Sequence, residues 1–148
     1  MKRLFCLASA MLILTGCSNK KEEEKEPSYV EPHYQEVEEL HIEWPTLFSQ
    51  PESKYYAYVY AVTCSPCSSL REKITNAAKS GKAKIYFVFP SDDVPFTEDL
   101  DQAMSSLGAT AIENVYCYST PTLIEITDKT VSLYTRDYYE IETFLESL

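Results

Sequence analysis

The sequence predicts an α/β domain built on a central mixed β-sheet flanked by helices, and three observations predict it. An aromatic and β-branched run at residues 55–62 is followed by Cys67, Leu70, Ile74, Ala77 and Ala78 at helical spacing. That stripe leads into a second apolar run at residues 84–89, so the helix is a crossover between parallel strands. Farther on, residues 122–126 and 131–134 flank the turn-like Thr127-Asp128-Lys129-Thr130, which predicts an antiparallel hairpin. Both kinds of pairing in one chain make the sheet mixed, and the roughly 110 residues of segment 40–148 suit one domain with one core.

Taken from its start, the chain opens with Lys2 and Arg3, an apolar stretch at 4–14, and then Leu14-Thr15-Gly16-Cys17. An apolar run of about 11 residues is too short to span a bilayer as a helix, and the small residues before Cys17 suit a signal peptidase. Residues 1–16 are therefore expected to be a bacterial lipoprotein signal peptide cut before Cys17; an ordinary secretory signal or an uncleaved anchor is the competing reading. Cys17 would become the mature N-terminus and carry a diacylglyceryl group and an amide-linked acyl chain such as palmitate. Those chains meet the two-anchor requirement for stable attachment to a membrane. The expected location is the extracytoplasmic face of the cell membrane, where thiols can be oxidised.

Residues 17–39 carry the charged run Lys20-Lys21-Glu22-Glu23-Glu24-Lys25-Glu26, then Pro27 and Pro32, with almost nothing apolar to bury. They read as a solvated tether, and the folded domain is expected at 40–148. The formal charge of −10 becomes −12 once Lys2 and Arg3 leave with the signal, which argues against nucleic acid or direct attraction to anionic lipid.

Within the domain, His41-Ile42-Glu43-Trp44 is expected as a short first strand and residues 45–50 as a helical or turn segment. The strand at 55–62 comes next, then the helix from Pro66 to its stop at Gly81, then the strand at 84–89, closed by Pro90. Leu100, Ala103, Met104 and Leu107 stand at helical spacing before Gly108. Residues 109–119 read as a helical turn and a loop. After the hairpin, Asp137 can cap a last helix with Glu140 three residues on, its buried face formed by Ile141, Phe144, Leu145 and Leu148.

Of the five cysteines, Cys6 would leave with the signal and Cys17 would be blocked by lipid, so Cys64, Cys67 and Cys117 remain as thiols. Cys64-Ser65-Pro66-Cys67 lies between a strand and a helix, which puts the first thiol where unpaired N–H groups and the helix dipole favour a thiolate. Two intervening residues let a disulfide close and reopen without rebuilding the backbone. A redox dithiol is the leading reading. A permanently closed structural disulfide competes with it, although so tight a loop stabilises only modestly. So does half of a zinc set completed by His33 and His41.

The element order, Cys64-Ser65-Pro66-Cys67 after the first central strand, and Thr120-Pro121-Thr122-Leu123 before the hairpin resemble the thioredoxin fold over most of residues 40–148. The resemblance implies a three-layer α/β/α arrangement, with Pro121 cis and facing the dithiol. It implies Cys64 as the exposed nucleophile, Cys67 as the more buried resolving thiol, and Thr120 and Pro121 as the backbone edge on which a substrate segment lies. Two positions depart from it. Thr63 stands where the family carries Trp, and Tyr58 replaces the thioredoxins' buried carboxylate; a Tyr with a pKa near 10 is a poor base at neutral pH. A narrow client range or a role as oxidant is expected. Cys117, four residues before Pro121, is a third redox thiol or a small buried hydrophobe. Among the 12 tyrosines, those in strands are expected in the core, and Tyr118 is the candidate for client contact.

The chain is thus expected to be a membrane-tethered thiol–disulfide oxidoreductase that needs no cofactor or metal and serves cell redox homeostasis. It is similar to small lipoproteins of Gram-positive bacteria, including those described as bacteriocin transport accessory proteins. Expected partners are protein thiols or disulfides as clients and a membrane or extracytoplasmic redox partner, with no nucleic acid and the chain acting as a monomer. The alternative is a non-catalytic lipoprotein using the same fold as a binding or assembly module.

Overall fold

The computed structural model describes residues 32–91 and 93–148. The signal peptide at 1–16, Cys17 and the tether up to residue 31 lie outside the described residues. The elements are β1 (Lys54–Val59), α1 (Ser65–Ser80), β2 (Ile85–Val88), α2 (Leu100–Met104), β3 (Thr122–Thr127), β4 (Thr130–Thr135) and α3 (Tyr138–Glu146), with 3-10 turns at Pro32–Leu40, Trp44–Thr46 and Ile112–Asn114.

The strands form one mixed sheet in the order β2-β1-β3-β4. β1 runs parallel to β2, from Tyr56 opposite Ile85 to Val59 opposite Val88, and α1 is the crossover between them. β3 pairs antiparallel with β1, with Thr122 opposite Val59, and antiparallel with β4, where the register shifts between Glu125 and Ile126. Both faces of β1 are buried, which is why its sequence lacks polar alternation. Tyr55, Ala57 and Val59 point into one cluster with Trp44, Leu47, Cys117, Ile124 and Ile126. Tyr56, Tyr58 and Tyr60 point into the other, with Cys67, Leu70, Ile74, Ile141 and Leu145. Helices α1 and α3 therefore cover one face, while the Trp44–Thr46 turn and Ala103 of α2 cover the second. The α/β/α layering is as expected.

The helix ends follow their sequences. Gly81 ends α1 at φ 71°, the left-handed conformation that a C-terminal glycine supplies. Asp137 Oδ1 accepts from the N–H groups of Tyr139 and Glu140 at the start of α3. Glu140 does not return the capping bond; its carboxylate accepts from Thr135 Oγ1 at 2.5 Å and ties α3 to β4 instead.

Three expectations need correction. The strand at His41–Trp44 is only a single bridge between His41 and Phe87, with the Ile42 N–H donating to Phe87 O at 2.9 Å, because Pro45 sits in the turn that begins at Trp44. α2 stops after five residues and buries only Ala103, leaving Leu100, Met104 and Leu107 exposed. The helix is capped at Ser105, and the buried hydroxyl of Ser106 just past it accepts the Tyr116 N–H at 2.8 Å.

The third correction moves the domain boundary. Tyr34 and Val37, within the segment read as tether, are 1% and 0% exposed. They stand three residues apart in the Pro32–Leu40 segment, which kinks at Val37 (φ −131°, ψ 27°), and both side chains enter the core despite the surrounding charge. The Tyr34 ring lies 4.1 Å from that of Tyr60 and 5.4 Å from that of Phe87, and Glu36 pairs with Lys79 of α1. The folded unit thus includes residues 34–39, which pack onto α1 and beside the outer edge of β2.

Candidate active site

Past Val59, the Tyr60 N–H still donates to Val88 O at 3.2 Å, so the chain follows β2 one residue beyond the strand. It then turns, with the Cys64 N–H donating to Ala61 O at 3.2 Å. Cys64 has extended φ and ψ (−86°, 106°) and is the N-cap of α1, whose first bond runs from the Ser68 N–H to Cys64 O at 3.1 Å. Pro66 occupies the first turn, where its missing N–H costs nothing and its fixed φ suits the helix.

Cys64 and Cys67 form a disulfide with an S–S distance of 2.05 Å and a Cα–Cα distance of 5.2 Å. Cys64 is the more exposed of the two, at 9% against 2%. Its Sγ accepts the Cys67 N–H at 3.1 Å. After reduction that sulfur would sit against a backbone donor and the positive end of a helix of 16 residues, both of which stabilise a thiolate.

Thr122 lies opposite Val59, so Thr120 and Pro121 stand at the end of the sheet from which the cysteine loop leaves. The Thr120-Pro121 bond is cis. Pro121 is buried and Thr120 half-buried, and Thr122 Oγ1 donates to Ser119 O at 2.6 Å beside them. Tyr118 is half-buried against the opposite cluster; its ring carries the Arg136 guanidinium 4.6 Å above the centroid, and its N–H donates to the Tyr134 hydroxyl at 3.2 Å.

Cys117 is not brought to the dithiol. It is 0% exposed in the cluster on the other face of the sheet, where its backbone pairs with the segment around Phe96. Burial pushes its thiol up to about 12, which keeps it protonated and inert. Of the two readings of Cys117, the small buried hydrophobe fits this position.

Beneath the loop lies a group of polar aromatics that the sequence reading did not assemble. Tyr58 is fully buried, stacked 6.2 Å from Tyr60, and burial pushes its hydroxyl far up while the Arg71 charge opposes that shift. Its hydroxyl interacts with Tyr34, which arrives from the N-terminal segment. His41 places Nδ1 3.2 Å from Val37 O and Nε2 2.8 Å from the Tyr60 hydroxyl. Since the carbonyl can only accept, Nδ1 carries the proton, and in the neutral ring Nε2 then accepts from the Tyr60 hydroxyl. Burial lowers its pKa, against the pull of the Val37 bond and of Glu38 and Glu39. Occupied in this way, His41 is a packing and hydrogen-bonding residue, and the side chain of His33 lies outside the described residues. No three His, Cys, Asp or Glu side chains among the described residues converge as a metal set. The spacing of Tyr34, Val37 and His41 was the signal available in the sequence.

No family model matches this chain and no curated protein is similar to it. It is similar to solved thioredoxins at low identity. Oxidised mitochondrial thioredoxin 3 from Saccharomyces cerevisiae is 18% identical with a TM-score of 0.43, the match covering 73% of this chain and 93% of that one. Chlamydomonas reinhardtii thioredoxin f2 is 12% identical with a TM-score of 0.46, covering 73% and 94%. A point-mutant thioredoxin from Halobacterium salinarum is 18% identical with a TM-score of 0.42, covering 73% and 88%. The thioredoxin-like fold class itself rests on the strand order, the α1 crossover and the two covered faces described above.

Proposed function

We propose that this protein exchanges disulfides with protein clients through Cys64 and Cys67, while lipid on Cys17 and the charged segment after it hold the domain at the outer face of the cell membrane. The observation that carries the chemistry is the disulfide closed across the N-terminus of α1 with Cys64 the more exposed residue of the pair. The tether rests on Leu14-Thr15-Gly16-Cys17 and the run of lysines and glutamates behind it. The similarity to Gram-positive lipoproteins of the bacteriocin transport accessory kind belongs to the same reading.

From the oxidised state, a client thiolate attacks Cys64 Sγ, the Cys64–Cys67 bond breaks, and Cys67 leaves as a thiolate that takes up a proton. A second client thiolate then attacks the client sulfur of the mixed disulfide and expels Cys64. The client gains a disulfide and the protein gains two electrons and two protons. Run backwards, the same steps reduce a client. Cys64 is the attacked and attacking sulfur, Cys67 the resolving one, and Thr120, Pro121 and Tyr118 form the client-facing edge. Tyr58, whose hydroxyl stays protonated, takes no proton from Cys67, in keeping with a narrow client range.

Equilibration in defined thiol buffers is expected to give a reversible two-electron potential well above about −300 mV. Cys67→Ser is expected to trap mixed disulfides that vanish when Cys64→Ser is added. A potential far below that value, with no trapped client, would overturn the exchange reading in favour of a structural disulfide.

A further inference from the structure

We propose that the site selects client cysteines flanked by an apolar side chain on one side and a carboxylate on the other, read by Phe89 with Val62 and by Arg136; this rests on the exchange reading above. The registers that set Val59 opposite both Val88 and Thr122, and Leu123 opposite Thr135, bring four chain segments to one end of the sheet. In strand order these are Phe89 after β2, the loop to Cys64 after β1, Thr120 and Pro121 before β3, and Arg136 after β4.

The two ends of this row differ in chemistry. Phe89 is 36% and Val62 40% exposed, and the Phe89 ring lies 5.7 Å from the buried ring of Tyr60, which leads into the cysteine loop. From Tyr60 to Leu70 there is no charged side chain, in a chain where 24% of residues are charged. The dithiol is thus set in an uncharged, partly apolar rim, and the exposed Asp93 beyond Phe89 would repel a client carboxylate there.

At the far end, Arg136 is exposed and its guanidinium lies 4.6 Å over the Tyr118 ring, a stacking that holds its position and leaves its N–H edge available. Among the described residues it makes no ion pair. The adjacent Asp137 is engaged as the cap of α3. An isolated cation at the rim of an acidic protein suits an acidic side chain of a partner.

Spacing sets the client pattern. Neighbouring strands are about 4.8 Å apart, and an extended chain advances about 3.3 Å per residue. With its cysteine over Cys64, an extended client meets Phe89 one or two residues away on one side. It meets Arg136 about three residues away on the other.

The test uses the full chain in detergent with Cys67→Ser and short single-cysteine peptides, each carried as a mixed disulfide with thionitrobenzoate. The Cys64 thiolate attacks the peptide sulfur, the bond to the reagent breaks, and the coloured thiolate leaves. The Cys64→Ser, Cys67→Ser chain supplies the blank. Peptides carry Phe and Glu flanks, Phe and Lys flanks, or Ser flanks, in both chain directions. In one direction the Phe/Glu peptide is expected to react about threefold faster than Phe/Lys and about fivefold faster than Ser. Arg136→Glu is expected to invert the Glu-to-Lys ratio, and Phe89→Ser to collapse the Phe-to-Ser ratio. Equal rates for all peptides, or ratios that neither variant moves, would overturn the selection while leaving exchange intact. Absence of release from every peptide, and from the symmetric disulfide of thionitrobenzoate run beside them, would overturn exchange itself, and selection with it.

Discussion

Replacing Tyr34 with alanine tests the claim that the domain begins before residue 40. Tyr34 is 1% exposed and its ring meets Tyr60 at 4.1 Å, Phe87 at 5.4 Å and His41 at 6.5 Å. Truncating a buried aromatic to alanine costs about 3–5 kcal/mol, and a segment near the chain start can relax, so the lower value of about 3 kcal/mol applies. With a urea m-value of about 1.5 kcal/mol/M for a domain of this size, the midpoint should fall by about 2 M. Tyr34→Phe keeps the ring and loses only the hydroxyl that meets Tyr58, so about 1 kcal/mol is expected. The assay is urea unfolding of the oxidised protein followed by tyrosine fluorescence and far-UV circular dichroism, with both probes required to coincide. A chain starting at residue 40 should lose at least as much as Tyr34→Ala. A midpoint shift below about 0.5 M for Tyr34→Ala at an unchanged m-value would refute the reasoning and return residues 34–39 to the tether.

Other expectations follow from the same geometry. Cys117, buried with its thiol raised to about 12, should resist iodoacetamide at pH 8 in the native oxidised protein and react fully in denaturant; stoichiometric native labelling would contradict its burial. His41 is held below its ordinary value mainly by burial, so the folded state binds fewer protons than the unfolded state near pH 6. Its contribution is therefore present above an unfolded pKa of about 6.5 and lost as the pH falls below it; His41→Gln should flatten the fall in stability between about pH 7 and 5, measured by urea midpoints, and an equally steep variant would argue against it. Tyr58→Phe should leave the pH profile of exchange unchanged below about pH 9, because the hydroxyl stays protonated there; loss of a limb of the profile would give Tyr58 a proton-transfer role.

Where neighbours in sequence are also neighbours in space, the sequence was legible. The α1 stripe, its Gly81 stop and the Asp137 cap rest on contacts within a turn or two, and they occur where expected. The Cys64–Cys67 pair was legible for the same reason, since a spacing of three fixes both thiols on one helix start. α2 was read too generously, because the spacing of Leu100, Met104 and Leu107 carries no information about whether anything lies opposite to cover them.

The sequence by itself determined the mixed α/β sheet and the dithiol after its first long strand, because periodicity and short spacings are local properties. Only the tertiary structure decided that Tyr34 and His41, read as tether and as a short strand, close over Tyr58 and Tyr60 beneath the cysteine loop. It also separated Cys117 from the dithiol by the thickness of the sheet, although Pro121 is only four residues away. The physical reason is the two-residue alternation of a strand. Which face a residue joins depends on registers set by long-range pairing, and no local pattern carries that information.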